Sequence, residues 1–268
     1  LYLAFNTKIV EDARKRFPKN TTVKTLHSLG FQYESKNKLI LNNINNIISE
    51  IFNLDISIDY NIIYNIYIIY NKFCNSESSI NEIPLLKTRL IKEIKERFSE
   101  DGSDKRKEAF LINKINNAIP RIKKLYEYMS SSKYTTHSTY LKQFVENMDD
   151  HALKYDFIIL DESQDVSRLL GKFIIKSILS YNYKVIVVGD NNQKIYGFID
   201  NINLSKSIKN VVGNTIYIER SLTKTFRFSK DTNIEYLTNL ILRNRNHRII
   251  GAKPKKVLLK KKNELNKA

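Results

Sequence analysis

Two runs of β-branched and aromatic residues, each ending in acid, set the tightest limit on what this chain can fold into. Phe157-Ile158-Ile159-Leu160 leads into Asp161-Glu162-Ser163-Gln164-Asp165, and Val185-Ile186-Val187-Val188 leads into Gly189-Asp190. Neither run alternates apolar with polar residues, so each reads as a strand covered on both faces. Between them, Leu169 to Leu179 carries its apolar residues at helical spacing. Strand, helix, strand is a βαβ unit, and it calls for a parallel sheet. Ligands of such sheets bind beyond the carboxyl ends of the strands, where both acidic steps fall. One carboxylate there can meet a metal-bound phosphate while the other polarises a water.

The rest of the sequence supplies more of the same alternation, with one long interruption. Leu1 to Phe5 is a short apolar run that reads as an interior strand, and a domain seldom opens in mid-sheet, so a longer parent chain is expected. Ile9, Val10, Ala13 and Phe17 form one face of a short helix stopped by Pro18. Thr21 to Thr25 gives a second strand, and Leu26 to Gly30 is expected to turn out of it. From about Lys36 the pattern becomes helical. Ile44, Ile47, Ile48 and Ile51 share a face, as do Leu86, Leu90, Ile94 and Phe98, and again Ile115, Ile119, Ile122 and Leu125. Ile62 to Phe73 is apolar nearly all round, and periodicity leaves it as helix or strand; Pro120 is a kink or a first-turn residue. Glu100 to Asp104 reads as a loop. A strand at Thr215 to Ile218 and a helix at Thr232 to Leu242 follow the βαβ unit, and Lys253 to Lys267 is a basic tail.

Charge narrows the class of partner. Lys+Arg number 45 against 28 for Asp+Glu, a formal charge of +17, which suits a polyanion and nucleic acid first. A solvated basic surface on an Asn-, Ile- and Lys-rich protein is the bland alternative. Cys74 is the one cysteine, which rules out an internal disulfide or a structural zinc cluster. A reducing, intracellular setting, nuclear or cytoplasmic, is expected. No run approaches the ~18 apolar residues of a membrane-spanning helix, so no membrane partner is expected.

Five segments, in order, resemble the UvrD/Rep/PcrA group of superfamily 1 DNA helicases, and within it the F-box DNA helicase branch. They are Leu1 to Asn6 with Lys8, Thr25 to Leu29, Asp161 to Asp165 (close to the family's Asp-Glu-Ala-Gln-Asp), Gly189 to Phe198, and Leu222 to Phe228; His137 to Lys142 is similar to a stretch typical of the F-box branch. The resemblance implies an α/β fold: a RecA-like parallel sheet of the P-loop NTPase type, incomplete here, with an all-helical insertion and the start of a second RecA-like domain. The corresponding boundaries are 1–35 and 136–214 for the first RecA-like domain, 36–135 for the insertion, and 215–268 for the start of the second.

The same resemblance implies roles for individual residues. Asp161 holds Mg²⁺ and Glu162 activates the attacking water; Gln164 and Asp190 line the ATP site; Gln193 senses the γ-phosphate; Arg227 neutralises charge on the transferred phosphoryl group. Phe5, Tyr196 and Phe198 stack on unpaired bases, while Thr25 and His27 contact the DNA backbone. Without the resemblance, Asp161 and Glu162 read as an acidic helix cap, Arg227 as a surface residue at a helix start, and His27 equally well as a buried, hydrogen-bonded histidine. The implied activity is ATP-driven 3′-to-5′ movement on single-stranded DNA and unwinding at duplex junctions. A different reading is a non-catalytic single-stranded DNA-binding or regulatory remnant; an unrelated nucleotide switch leaves Tyr196-Gly197-Phe198 and Leu222 to Phe228 unexplained. Two departures stand out. Ile199-Asp200-Asn201 replaces the family's Arg-Gly-Ala, and the 268 residues contain no Gly-x-x-x-x-Gly-Lys-[ST] phosphate loop, which the resemblance puts just before Leu1.

Overall fold

The computed structural model describes residues 1–4, 6–35, 38–100, 104–151, 153–190, 202–213, 216–241 and 248–253. The chain divides into two compact units, Leu1–Val211 and Val212–Ala268. In chain order the first contains β1 (Tyr2–Ala4), α1 (Thr7–Arg16), β2 (Val23–Thr25), α2 (Leu26–Glu34), β3 (Leu39–Ile40), α3 (Asn45–Phe52), α4 (Tyr60–Cys74), α5 (Ile83–Glu100), α6 (Lys105–Ser131), β4 (Tyr134–Thr135), α7 (His137–Glu146), β5 (Phe157–Leu160), α8 (Arg168–Leu179), β6 (Lys184–Val187) and α9 (Leu204–Val212). The second contains β7 (Lys224–Ser229), α10 (Asn233–Ile241) and β8 (Ile250–Lys253), with β7 and β8 paired in parallel.

The central sheet has the order β2-β1-β5-β6, and every pairing in it is parallel. This is the parallel α/β sheet of a RecA-like fold. Register fixes which residues share an edge: Ala4 lies beside Thr25, Leu3 beside Leu160, and Leu160 beside Val187. The carboxyl ends of all four strands therefore open on one rim. On one face Leu3, Ile158 and Leu160 are fully covered. On the other, α1 packs Val10 and Ala13 against Tyr2, Ala4 and Val23 and reaches Ile159. Coverage there stops short of the expected two-sided burial. Ile186 is 48% and Val188 41% exposed, because no other described helix packs on that face beyond α1.

Several local expectations change. Leu26 to Gly30 is the start of α2 rather than a turn. Thr25 Oγ1 accepts from the Ser28 amide at 3.1 Å and Ser28 Oγ accepts from the Thr25 amide at 3.2 Å, a reciprocal cap that starts the helix directly off the strand. Ile62 to Phe73 is helical, within α4. Pro120 lies inside the 27-residue α6 rather than in its first turn. Residues 216–218 form no strand; the strand of that region is β7, and Arg227 sits in it rather than at a helix start.

The helical segment leaves and returns at one place. β3 and β4 pair in parallel, Leu39 with Tyr134 and Ile40 with Thr135, so its two ends are hydrogen-bonded together. Helices α3 to α6 pack around their own core, including Ile48, Ile63, Tyr70, Phe73, Leu86, Ile122 and Met129. Cys74 is buried in it, and that burial pushes its thiol pKa up to about 12.

The joint between this core and the sheet is α7, buried all round from Thr139 to Val145. Lys142 on it is fully buried. Its ammonium donates to the carbonyls of Ser76 (2.9 Å) and Ser78, lies 3.5 Å from Glu146, and sits 4.8 Å over the Phe73 ring. Burial lowers its pKa, with Glu146 opposing the shift. Removing one side of such a buried pair strands the other, so Lys142→Ala is expected to lose about 3–5 kcal/mol of stability and Lys142→Met distinctly less. Denaturant titration checks this; an unchanged midpoint for Lys142→Ala removes the lysine from the framework.

Candidate nucleotide and nucleic-acid site

Strand β5 delivers Asp161 and Glu162 onto the common rim. The Asp161 carboxylate is held from two sides: Tyr2 Oη donates to Oδ2 at 2.8 Å, and the Glu162 amide donates to Oδ1 at 2.9 Å. Burial first, then the bond to Asp161, pushes the Tyr2 hydroxyl well above the ordinary tyrosine pKa and keeps it a donor. Tyr2 escapes sequence reasoning because a tyrosine in an apolar strand looks like core.

Glu162 has φ 53° and ψ 44°, the left-handed region that costs a non-glycine residue roughly 1–2 kcal/mol. That conformation swings the chain from the strand into a short 3₁₀ turn at Ser163–Asp165 and leaves Glu162 half-exposed at the rim. Strain of this kind is tolerated where the surroundings over-determine it. Here Ser163 N donates to the Val188 carbonyl at 2.9 Å, Gln164 Nε2 donates to Glu162 Oε2 at 2.6 Å, and the Asp190 amide donates to Gln164 Oε1 at 3.1 Å. Gln164 is thus a bridge from Glu162 to the end of the β6 segment. A simple acidic helix cap does not describe this geometry, since the helix α8 is capped by Ser167, whose side chain accepts from Leu170 N.

Gly189 makes the approach of the two strand ends possible. A Cβ there would stand 2.3 Å from Ser163 Oγ, 2.8 Å from Gln164 Oε1 and 2.9 Å from Ser163 N. Only glycine fits.

On the same rim, Thr25 is buried and its hydroxyl is engaged in the cap of α2. His27 is exposed on α2 and packs edge-on to His137 (6.2 Å) and Tyr140 (6.4 Å) of α7. Desolvation among these rings, then the neighbouring His137, lowers its pKa. It makes none of the hydrogen bonds of a buried histidine to the described residues. The segments Thr25–Leu29 and His137–Lys142, far apart in sequence, meet here because Gly30 lets α2 and α7 close, its Cβ position lying 3.3 Å from Leu141. Arg227 is exposed on β7 in the second unit. Phe5, Gln193, Tyr196 and Phe198 lie outside the described residues.

The donor set fits part of a nucleotide site. Among the described residues no three acids, histidines or cysteines gather to hold a metal. Mg²⁺ does not need them, since it is commonly held by one or two carboxylates together with substrate phosphates and water. Asp161 fits that role, and the buried Asp165 Oδ1, without a partner among the described residues, shows polar capacity left over beside it.

Comparison with known proteins gives two likenesses. A family model described as an AAA domain, found in UvrD/Rep-like helicases, matches residues 86–199. F-box DNA helicase 1 of Gallus gallus is 29% identical over 257 residues, 90% of this chain. These two likenesses support a relationship to the superfamily 1 helicases. It spans 23% of the length of that relative. Among the described residues no helix is long and apolar enough to cross a membrane.

The rim yields two stability tests. Gly189→Ala is expected to lose about 1–3 kcal/mol by overpacking against Ser163 and Gln164. Glu162→Gly is expected to keep its stability or gain up to about 1 kcal/mol, because relief of the left-handed strain outweighs the added freedom of the unfolded chain. Thermal and denaturant unfolding check both, and a marked loss in Glu162→Gly contradicts the strain assignment.

Proposed function

We propose that this chain is part of an ATP-dependent DNA helicase that couples nucleotide hydrolysis to 3′-to-5′ movement along single-stranded DNA and to unwinding at duplex junctions. The observation that carries this reading is the left-handed Asp161-Glu162 step on the strand rim, tied through Gln164 to Asp190. Asp161, fixed by Tyr2 and the Glu162 amide, holds the metal. Mg²⁺ bound there supplies neutralisation of phosphate charge. Glu162 has Oε2 engaged by Gln164, which leaves Oε1 to orient the attacking water and take its proton. Gln164 and Asp190 pass any shift at the water position to the segment after β6, where Gln193 senses the γ-phosphate and Tyr196 and Phe198 grip unpaired bases together with Phe5. His27 contacts the DNA backbone from the same rim, and Thr25 holds it there by capping α2. Arg227 stabilises charge on the transferred phosphoryl group. The likeness to F-box DNA helicase 1 and the basic composition support DNA as the substrate.

The test is steady-state ATPase activity, with saturating single-stranded DNA, in the intact reading frame carrying this segment. Glu162→Gln is expected to abolish turnover while leaving nucleotide binding largely intact, because an amide keeps the shape and cannot accept the proton. Arg227→Ala is expected to slow hydrolysis by roughly 10³-fold or more. Near-normal turnover in either variant removes that residue from the mechanism. The 268-residue chain alone, which carries no Gly-rich phosphate loop in its sequence, is expected to release no phosphate from ATP. Absence of turnover in the intact frame as well favours the non-catalytic DNA-binding remnant.

A further inference from the structure

We propose that one face of α6, together with its cleft against α4, is a second track for an unpaired nucleic-acid strand, separate from the sheet rim. Lys107, Phe110, Lys114, Asn117, Arg121 and Lys124 follow one another at three- and four-residue steps, so they form a single stripe along the helix. At ~1.5 Å per residue the stripe runs about 25 Å. The acids of α6 are Glu108, which helical spacing puts on another face, and Glu127, which lies one step past Lys124 at the far end of the stripe and 3.9 Å from Lys123. From Lys107 to Arg121 no acid of the helix faces the stripe, and such a row of cations is complementary to a phosphate backbone.

Three of the four cations are held over aromatic surface. Lys114 Nζ lies 4.4 Å from the Phe110 ring centre, and Arg121 and Lys124 lie 5.9 and 5.7 Å from the Phe52 ring centre. Phe110 is itself 58% exposed, an unusual place for a phenyl ring with no partner in the core.

Beside the stripe, the cleft between α4 and α6 has a volume of about 260 Å³. Asn61 and Asn65 of α4 face it from one wall, and Asn113 and Asn117 of α6 from the other. None of these four side-chain amides hydrogen-bonds to a described residue. Paired donors and acceptors on a side-chain amide match base edges, and exposed aromatic rings stack on base faces. Base edges and faces are accessible together only in an unpaired strand, which decides the occupant in favour of single-stranded over duplex nucleic acid. This surface extends the proposed DNA contact to the helical segment and does not depend on ATP hydrolysis.

The test uses the 268-residue chain, a fluorescent oligothymidine and a matched duplex, with binding read by anisotropy across a salt series and contacts mapped by ultraviolet crosslinking. Lys107→Ala with Lys114→Ala is expected to reduce the slope of log K against log salt by about 1.4, at roughly 0.7 per phosphate contact on a single strand. Phe110→Ala is expected to weaken oligothymidine binding by about tenfold, the scale of one lost stack. All these positions are on the helix surface, and unchanged melting of the variants shows that folding is kept. Crosslinks at residues 107–124 support the track. Unchanged affinity and slope in both variants, or crosslinks confined to residues 24–28 and 191–198, overturn it while leaving the helicase reading in place. Tighter binding to the duplex than to the single strand also overturns it.

Discussion

The ammonium group of Lys142 has no solvent to turn to, and its bonds to the Ser76 and Ser78 carbonyls decide how the helical layer meets the sheet. Those carbonyls belong to the segment that follows α4. The same segment receives Leu169 N at the Asn75 carbonyl, Lys172 at the Glu77 carbonyl, and both Arg89 and Arg168 at the Glu77 carboxylate. Residues from α5, α7 and α8 therefore converge on the four residues of irregular chain from Asn75 to Ser78. Their backbone groups would be costly to bury without partners, and the long basic side chains supply those partners. Helix α8 begins three residues after Asp165, so the clamp also fixes the frame that carries the acidic rim.

The rim draws its geometry from a different source. Parallel pairing in register places Leu3, Lys24, Leu160 and Val187 at one level, and whatever follows each strand is presented together. The arrangement then tightens by backbone contact: Ser163 on Val188, Gln164 between Glu162 and Asp190, and Gly189 pressed against Ser163. Glu162 is kept in a strained conformation by these contacts, and its carboxylate is kept half in solvent. The role proposed for Glu162, activation of a water, calls for that combination of fixed position and open access.

Much of this was legible in the residues. The βαβ unit, the parallel sheet, the amphipathic stripes of α3, α5 and α6, and the acidic steps at strand ends all follow from periodicity and strand composition. The misreadings share a cause. Leu26–Gly30 looks like a turn until Thr25 and Ser28 cap each other, and Ile62–Phe73 has no periodicity because α4 is shared between the helical core and α7. The stretch His137–Lys142 shows its likeness to the F-box branch without revealing that α7 is buried all round from Thr139 on. Tyr2 and Gly189 gave no local signal, since their roles lie in contacts across 159 residues of chain in one case and in a missing Cβ in the other.

The sequence by itself determined the βαβ unit, the amphipathic helices, where carboxylates end strands, and the basic balance of the chain, because these are properties of neighbouring residues. Tertiary structure alone decided that Thr25 and His27 share a rim with Asp161 and Glu162, that His137 meets His27, and that Lys142 is buried where helices and sheet join. It also decided that the helical segment's two ends pair at β3 and β4. These depend on register, on close approach at Gly30 and Gly189, and on where buried backbone groups find donors. No local pattern encodes a partner that lies a hundred residues away.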